Sequence, residues 1–268
     1  MCLYEIDVDD PILQTKLRQI GFNAADFSNC QIGPVECLGL VNLLNSHSVI
    51  SLDLTNNNLG PLGCKQIQPL LAISDKKCND AKLRGLNRHG NRIEDEGVRH
   101  LTEAITHSNC KLNSLNLSRN SINDEGVKHL AEALTHSNCK LSSLNLSFNY
   151  DISNEGVKHL AKALTHSNCK LNSLNLSSNI ISDEGVKHLA KALTHSNCKL
   201  NSLDLFFNFR IRNEGAKHLA EALTNSNCKL NSLNLSPNTI CDEGVKHLAE
   251  ALTYSNCKLN SSNLPSNK

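Results

Sequence analysis

Leu112, Leu141, Leu171, Leu200, Leu230 and Leu259 fall in one column when the 268-residue sequence is laid against itself, at successive spacings of 29, 30, 29, 30 and 29 residues. A period of that length allows one supersecondary unit per repeat. Such a unit is too small to bury its own apolar face, so successive units must stack around a continuous core. Weaker copies start at Val49 and Leu83, and a degenerate one at Phe22, with Phe27, Cys30 and Ile32 at its later positions.

Within a unit, Leu112, Leu115, Leu117, Asn120 and Ile122 spell L-x-x-L-x-L-x-x-N-x-I. Leu115 and Leu117 are two apart, so in a strand both point to one face while Ser114 and Asn116 point to the other. In the following DEGVKHLAEALTHSNCK, residues Val127, Leu130, Ala131 and Leu134 fall at i, i+3, i+4 and i+7, one apolar helix stripe. Asp124 or the residue before it is expected to cap this helix, and Gly126 to permit close backbone approach in its first turn. The column Asn120, Asn149, Asn179, Asn208 and Asn238 suits side chains that bond backbone groups left unpaired where the coil turns.

These units resemble leucine-rich repeats of the ribonuclease-inhibitor type, strongly over residues 83–264 and more loosely back to about residue 22. Similar repeats occur in Ran GTPase-activating proteins, in the sensor ends of nucleotide-binding innate receptors and in effectors of intracellular bacteria. The resemblance implies an α/β fold: a right-handed solenoid, or horseshoe, with parallel strands on the concave face and helices on the convex face. It also implies protein binding without naming a partner.

Residues 1–21 are expected to cap the solenoid, with Asp10 and Pro11 starting a helix, Leu13, Leu17 and Ile20 forming its stripe, and Gly21 ending it. Residues 22–268 then form about eight to nine coils. The unit from Val49 to Leu83 holds extra polar sequence at Lys76 to Asp80 and predicts an enlarged loop. Arg88 stands where an inward Leu belongs, which predicts a local departure from regular geometry. The last strand has Ser262 in place of Leu, followed by Pro265, and so discourages further pairing.

Aromatic residues make up only 3% of the chain, with no Trp, so the core must consist of thin layers of Leu, Ala, Val and Ile. A formal charge of +1 gives no whole-protein field to draw the chain onto nucleic acid or an anionic membrane. The N-terminal MCLYEIDVDD lacks the features of a signal peptide. Twelve cysteines in a long Leu-rich chain do not read as an oxidised scaffold, and the column Cys110, Cys139, Cys169, Cys198, Cys228 and Cys257, whose side chains point in parallel, reads as buried reduced thiols. Asn116, Asn145, Asn175 and Asn234 head Asn-Leu-Ser sequons on what should be open surface, where glycosylation would interfere. Both features favour a reducing cytoplasm, either the protein's own or that of a host cell into which it is delivered.

Catalytic and phosphate-binding motifs are absent from the sequence, so a non-enzymatic scaffold without cofactor is expected. Histidines recur, as in His129, His159, His188, His218 and His247, with His136 one column over. Helix spacing of about 8–10 Å makes these ladders rather than a metal cluster. Stacked charges would repel on protonation, so acid is expected to destabilise the fold. A regulator of a small GTPase, as in Ran GTPase-activating proteins, is the alternative function, although the acidic carboxy-terminal tail of that family is absent.

The informative positions are those that break the copy on the outward strand face and the turn beyond it. Most carry Ser or Asn. The two 30-residue units instead carry Phe148 with Tyr150, and Phe206, Phe207, Phe209 with Arg210. They lie two strands apart, about 10 Å, so they can share one patch with Arg119 at its edge. The alternative is that each aromatic packs against the extra residue, and duplication of a two-coil block explains the recurrence. A second candidate patch is Arg84, Arg88 and His89. The expected partner is a protein, met by a monomer, with neither nucleic acid nor membrane involved.

Overall fold

In each unit a three-residue strand is followed by a turn, a helix on the opposite side, and a return to the next strand. The computed structural model describes residues 24–44, 51–72, 85–87 and 90–263. The strands are β1 (Ala24–Asp26), β2 (Ser51–Asp53), β3 (Gly85–Asn87), β4 (Ser114–Asn116), β5 (Ser143–Asn145), β6 (Ser173–Asn175), β7 (Ser202–Asp204), β8 (Ser232–Asn234) and β9 (Ser261–Asn263). The helices are α1 (Pro34–Leu44), α2 (Gly60–Gln66), α3 (Gln68–Ala72), α4 (Glu94–Ile105), α5 (Asp124–Leu134), α6 (Asn154–Leu164), α7 (Asp183–Leu193), α8 (Asn213–Leu223) and α9 (Asp242–Leu252).

The strands form one parallel sheet in sequence order, with Leu115 registered on Leu144 and Leu144 on Leu174. Strand spacing of about 4.8 Å and helix spacing of about 8–10 Å differ, so the stack bends with its sheet inside. The architecture is the α/β solenoid expected from the repeats.

Leu115, Leu117, Val127, Leu130 and Leu134 are all buried, as the two periodicities require. Full burial of one such side chain contributes about 1.5–3 kcal/mol, and every regular coil repeats the set. The degenerate first coil also holds, since Phe27 and Ile32 are buried and Cys30 and Ile32 donate their N–H to Asn57 Oδ1.

Three hydrogen-bonding ladders tie coil to coil. Asn149, wholly buried, accepts from the N–H of Asn120 and Ile122 at 2.9 and 3.1 Å. Its Nδ2 donates to the carbonyls of Leu117 and Leu146 at 3.1 and 3.0 Å. The Asn column therefore serves the turns, as the sequence predicts.

A second ladder, absent from the sequence reading, joins helix ends: Nδ2 of Asn138, Asn168 and Asn197 donates to the carbonyls of Thr106, Thr135 and Thr165 in the preceding coil.

The third ladder sharpens the expected cap. Asn123, not Asp124, caps α5, accepting from the N–H of Glu125 at 2.8 Å. Asp124 reaches into the next coil, where its Oδ1 accepts from the N–H of Ser153 and Gly156 at 2.8 and 3.0 Å. A Cβ on Gly156 would stand 2.5 Å from that oxygen, which explains the glycine. Gly156→Ala is expected to displace Asp124 and destabilise the protein by about 1–3 kcal/mol, read from urea unfolding.

Cys110, Cys139, Cys169, Cys198 and Cys228 are buried and unbridged. Burial pushes each thiol above its ordinary value of 9.0, opposed in part by a backbone hydrogen bond. Unfolded thiols therefore ionise at lower pH than folded ones, so this contribution to stability is present below pH 9 and is lost as pH rises beyond it. Urea midpoints are expected to fall steadily above pH 9, and these five thiols to react with a disulfide reagent only after unfolding.

Two places depart from regularity. The second coil's helix breaks at Ile67 into α2 and α3 because Pro69 supplies no N–H and its ring obstructs the preceding turn. At the far end, β9 pairs with β8 through Ser262 opposite Leu233, and α9 leaves Leu252 exposed where earlier coils bury the equivalent Leu. The expected capping helix at 10–21, the starts at Phe22, Val49 and Leu83, the loop at Lys76 to Asp80, and Pro265 lie outside the described residues.

Candidate interaction surface

The third residue after strands β1 to β7 is at positive φ: Asn29 (57°), Asn56 (53°), Gly90 (69°), Arg119 (56°), Phe148 (56°), Ser178 (55°) and Phe207 (60°). Asn tolerates this left-handed conformation because its short side chain bonds locally, whereas a bulky side chain there is strained by about 1–2 kcal/mol. The first two of these positions hold Asn and two later ones hold Phe. The backbone N–H of Arg119, Phe148 and Ser178 donates to Ser147, Ser177 and Phe206 of the following coil, at 3.0, 2.9 and 2.7 Å. The sheet thus continues into the turn and fixes the strained residues.

The aromatic residues gather into two clusters. In the first, the Arg119 guanidinium lies 4.5 Å over the Phe148 ring, and Phe148 meets Tyr150 edge to face at 6.3 Å. In the second, Phe207 lies 5.5 Å from Phe206 and 4.2 Å from Phe209. Each aromatic does pack on its unit's own neighbours, yet Tyr150, Phe207 and Phe209 stay 64%, 42% and 53% exposed. Arg119 and Arg210 are exposed, and Phe148 and Phe206 are half-buried.

Ser178 occupies the same column between the two clusters and is only 3% exposed. Its hydroxyl has no hydrogen-bond partner among the described residues. The extra residue of each 30-residue unit lets the turn dock on the preceding coil, through parallel bridges between Asn123 and Asp151 and between Ser182 and Arg210. The aromatic residues thus form two clusters flanking one buried serine, with no ring contact between the clusters among the described residues. Arg84, Arg88 and His89 lie outside the described residues.

The sequon asparagines are less open than expected. Asn116, Asn145 and Asn175 are half-buried, and their Oδ1 atoms accept from the N–H of Ser118, Ser147 and Ser177 at 2.9–3.0 Å, closing the turn. The histidines divide into two structural columns. His129, His159 and His188 each lie within 4 Å of the glutamate one turn earlier, so each ring has an opposite charge beside it as well as its neighbours in the ladder. His107, His136, His166 and His195 accept through Nδ1 from the N–H of the Asn two residues on, at 3.2–3.3 Å. Asn225 takes the same role in the next unit, accepting at 2.9 Å. Val35, Leu38 and Leu62 on α1 and α2 are exposed apolar residues that the sequence reading did not single out.

A stack of strand-turn-helix coils on one parallel sheet, with a variable rim at the strand ends, defines a repeat scaffold. A Leucine Rich repeat family profile matches residues 45–67, 108–131, 137–161, 167–190, 196–220 and 226–249, more than half of the chain. The chain belongs to the leucine-rich-repeat family.

Among solved structures it is similar to an internalin from Listeria monocytogenes, at 23% identity and a TM-score of 0.56, over 99% of this chain and 59% of that one. It thus spans about three fifths of that internalin's length, and the likeness is one of fold. Weaker likenesses are leiomodin-1 actin-binding site 2, at 18% identity and a TM-score of 0.45 over 57% of this chain and 85% of that one, and a tropomodulin C-terminal domain from Caenorhabditis elegans, at 18% and 0.43 over 58% and 90%. No helix among the described residues is long and apolar enough to cross a membrane.

Proposed function

We propose that this protein is a non-enzymatic scaffold that takes a protein partner on the rim formed by the turns after β4, β5 and β7. Arg119, Phe148, Tyr150, Phe207 and Phe209 are the anchors. The carrying observation is the pair of Phe residues at left-handed positions where the same column uses Asn in the first coils. Strain kept together with exposed rings marks a surface retained for contact rather than for stability. Two further facts support it. The Arg119 guanidinium is already held over an aromatic face, which reduces the ordering cost of binding. Ser178, between the clusters, buries a hydroxyl that finds no hydrogen-bond partner among the described residues.

The coils are of the ribonuclease-inhibitor type in this reading, supported by the spacing of 29 and 30 residues and by helices of 11 residues such as α5 to α9. The proposed compartment is a reducing cytoplasm, its own or a host cell's, supported by the column of unbridged buried thiols. Affinity capture from cell lysate, comparing wild type with a variant carrying Ser at Phe148, Phe207 and Phe209, tests the site. A partner held by wild type and lost by the variant supports it, and equal capture by a folded variant removes it.

A further inference from the structure

The turns that return each helix to the next strand read His-Ser-Asn-Cys-Lys or nearly so. Stacking sets Lys111, Lys140, Lys170, Lys199, Lys229 and Lys258 along one edge of the solenoid. These turns enter the strands, whereas the aromatic clusters stand in the turns that leave them.

The ammonium groups are held in register with the coils. Nζ of Lys170, Lys199 and Lys229 donates to the carbonyls of Cys139, Cys169 and Cys198 in the preceding coil, at 3.2, 2.9 and 3.0 Å. Lys258 donates to the Ser226 carbonyl at 3.2 Å.

Among the described residues the helix lysines Lys128, Lys158 and Lys187 each pair with a glutamate, and the six edge lysines pair with none. No Asp or Glu occurs from residue 133 to 150 or from 163 to 182. Burial and the adjacent Lys140 ammonium hold Lys170 below the ordinary lysine value.

Coil spacing grows from about 4.8 Å at the strands to about 8–10 Å at the helices, and this edge lies between them. Alternate residues of an extended chain rise about 6.6–6.8 Å, within that interval. We propose that the lysine ladder is a second docking surface, which binds an extended acidic segment of a partner protein with every second carboxylate meeting a successive ammonium group. Five of the six turns carry no Phe, Tyr or Trp and only the last has one, Tyr254, so the edge presents no continuous row of the large rings on which single-stranded nucleic acid stacks.

The test is fluorescence anisotropy of labelled oligo-glutamate with the full chain. Binding is expected at low salt and should weaken as salt rises. Gln at Lys140, Lys170, Lys199 and Lys229 should weaken it at least about tenfold, while Arg at the same four positions keeps it. Gln at Lys128, Lys158, Lys187 and Lys217 makes the same change in net charge and should leave binding within about twofold. A variant with Asn at Phe207 should bind oligo-glutamate as wild type does, which keeps this proposal separable from the aromatic site. Absence of binding at low salt, equal loss in the two Gln variants, or tighter binding of a single-stranded oligonucleotide of equal charge overturns the proposal.

Discussion

Asn149→Ala is expected to destabilise the protein by about 3–5 kcal/mol, a large part of the roughly 5–15 kcal/mol that holds a typical domain together. Truncation leaves the N–H groups of Asn120 and Ile122 without their acceptor, and the carbonyls of Leu117 and Leu146 without the Nδ2 donor. The site is wholly buried, so water does not replace the lost partners. An orphaned buried polar group costs about 1–3 kcal/mol, and the two amides alone reach the lower end of the expected loss.

Asn149→Asp should fail similarly, because a carboxylate accepts from the two amides but donates nothing to the two carbonyls. The control is Asn175→Ala, which removes a half-buried side chain whose Oδ1 serves the single amide of Ser177, and should lose under about 1 kcal/mol. Urea unfolding of the three variants measures the contrast. A loss below 1 kcal/mol for Asn149→Ala would show that the ladder does not carry the turns.

That contrast also shows what a linear sequence discloses. The Leu and Asn columns recur at a fixed period, so their roles are readable in the sequence: Leu115 and Leu117 inward, Val127 and Leu130 on the helix stripe, Asn149 in the turn. Interactions between coils were less readable. Asp124 looks like a local cap, but its acceptor oxygen serves Ser153 and Gly156, about one period further on. The same holds for Asn138, whose partner Thr106 lies in the preceding coil. In the strand-end turns, sequence singled out Phe148 and Phe207 as unlike their counterparts but was silent on their backbone. Only the φ values show that these rings sit on strained residues. Sequence spacing is likewise silent on how the rings pack, and those of one unit pair with each other rather than across a coil.

Replacing Phe148 and Phe207 with Asn is expected to separate binding from folding. Each substitution removes a bulky residue from the left-handed region, where non-glycine residues pay about 1–2 kcal/mol, and installs the residue this column uses at Asn29 and Asn56. Against that relief stands the loss of ring packing, a cation–π contact of about 0.5–1 kcal/mol at Phe148 and the ring contacts of Phe207 with Phe206 and Phe209. These terms are of similar size and opposite sign, so the unfolding free energy from urea titration should change by no more than about 1 kcal/mol. Binding has no such offset. An aromatic anchor at an interface contributes 2 kcal/mol or more when truncated, so affinity for a partner held on this rim should fall at least about thirtyfold. Titration calorimetry with the captured partner gives the affinity, and urea unfolding gives the stability. Loss of several kcal/mol of stability with affinity unchanged would make the rings packing elements and return the rim to an ordinary turn.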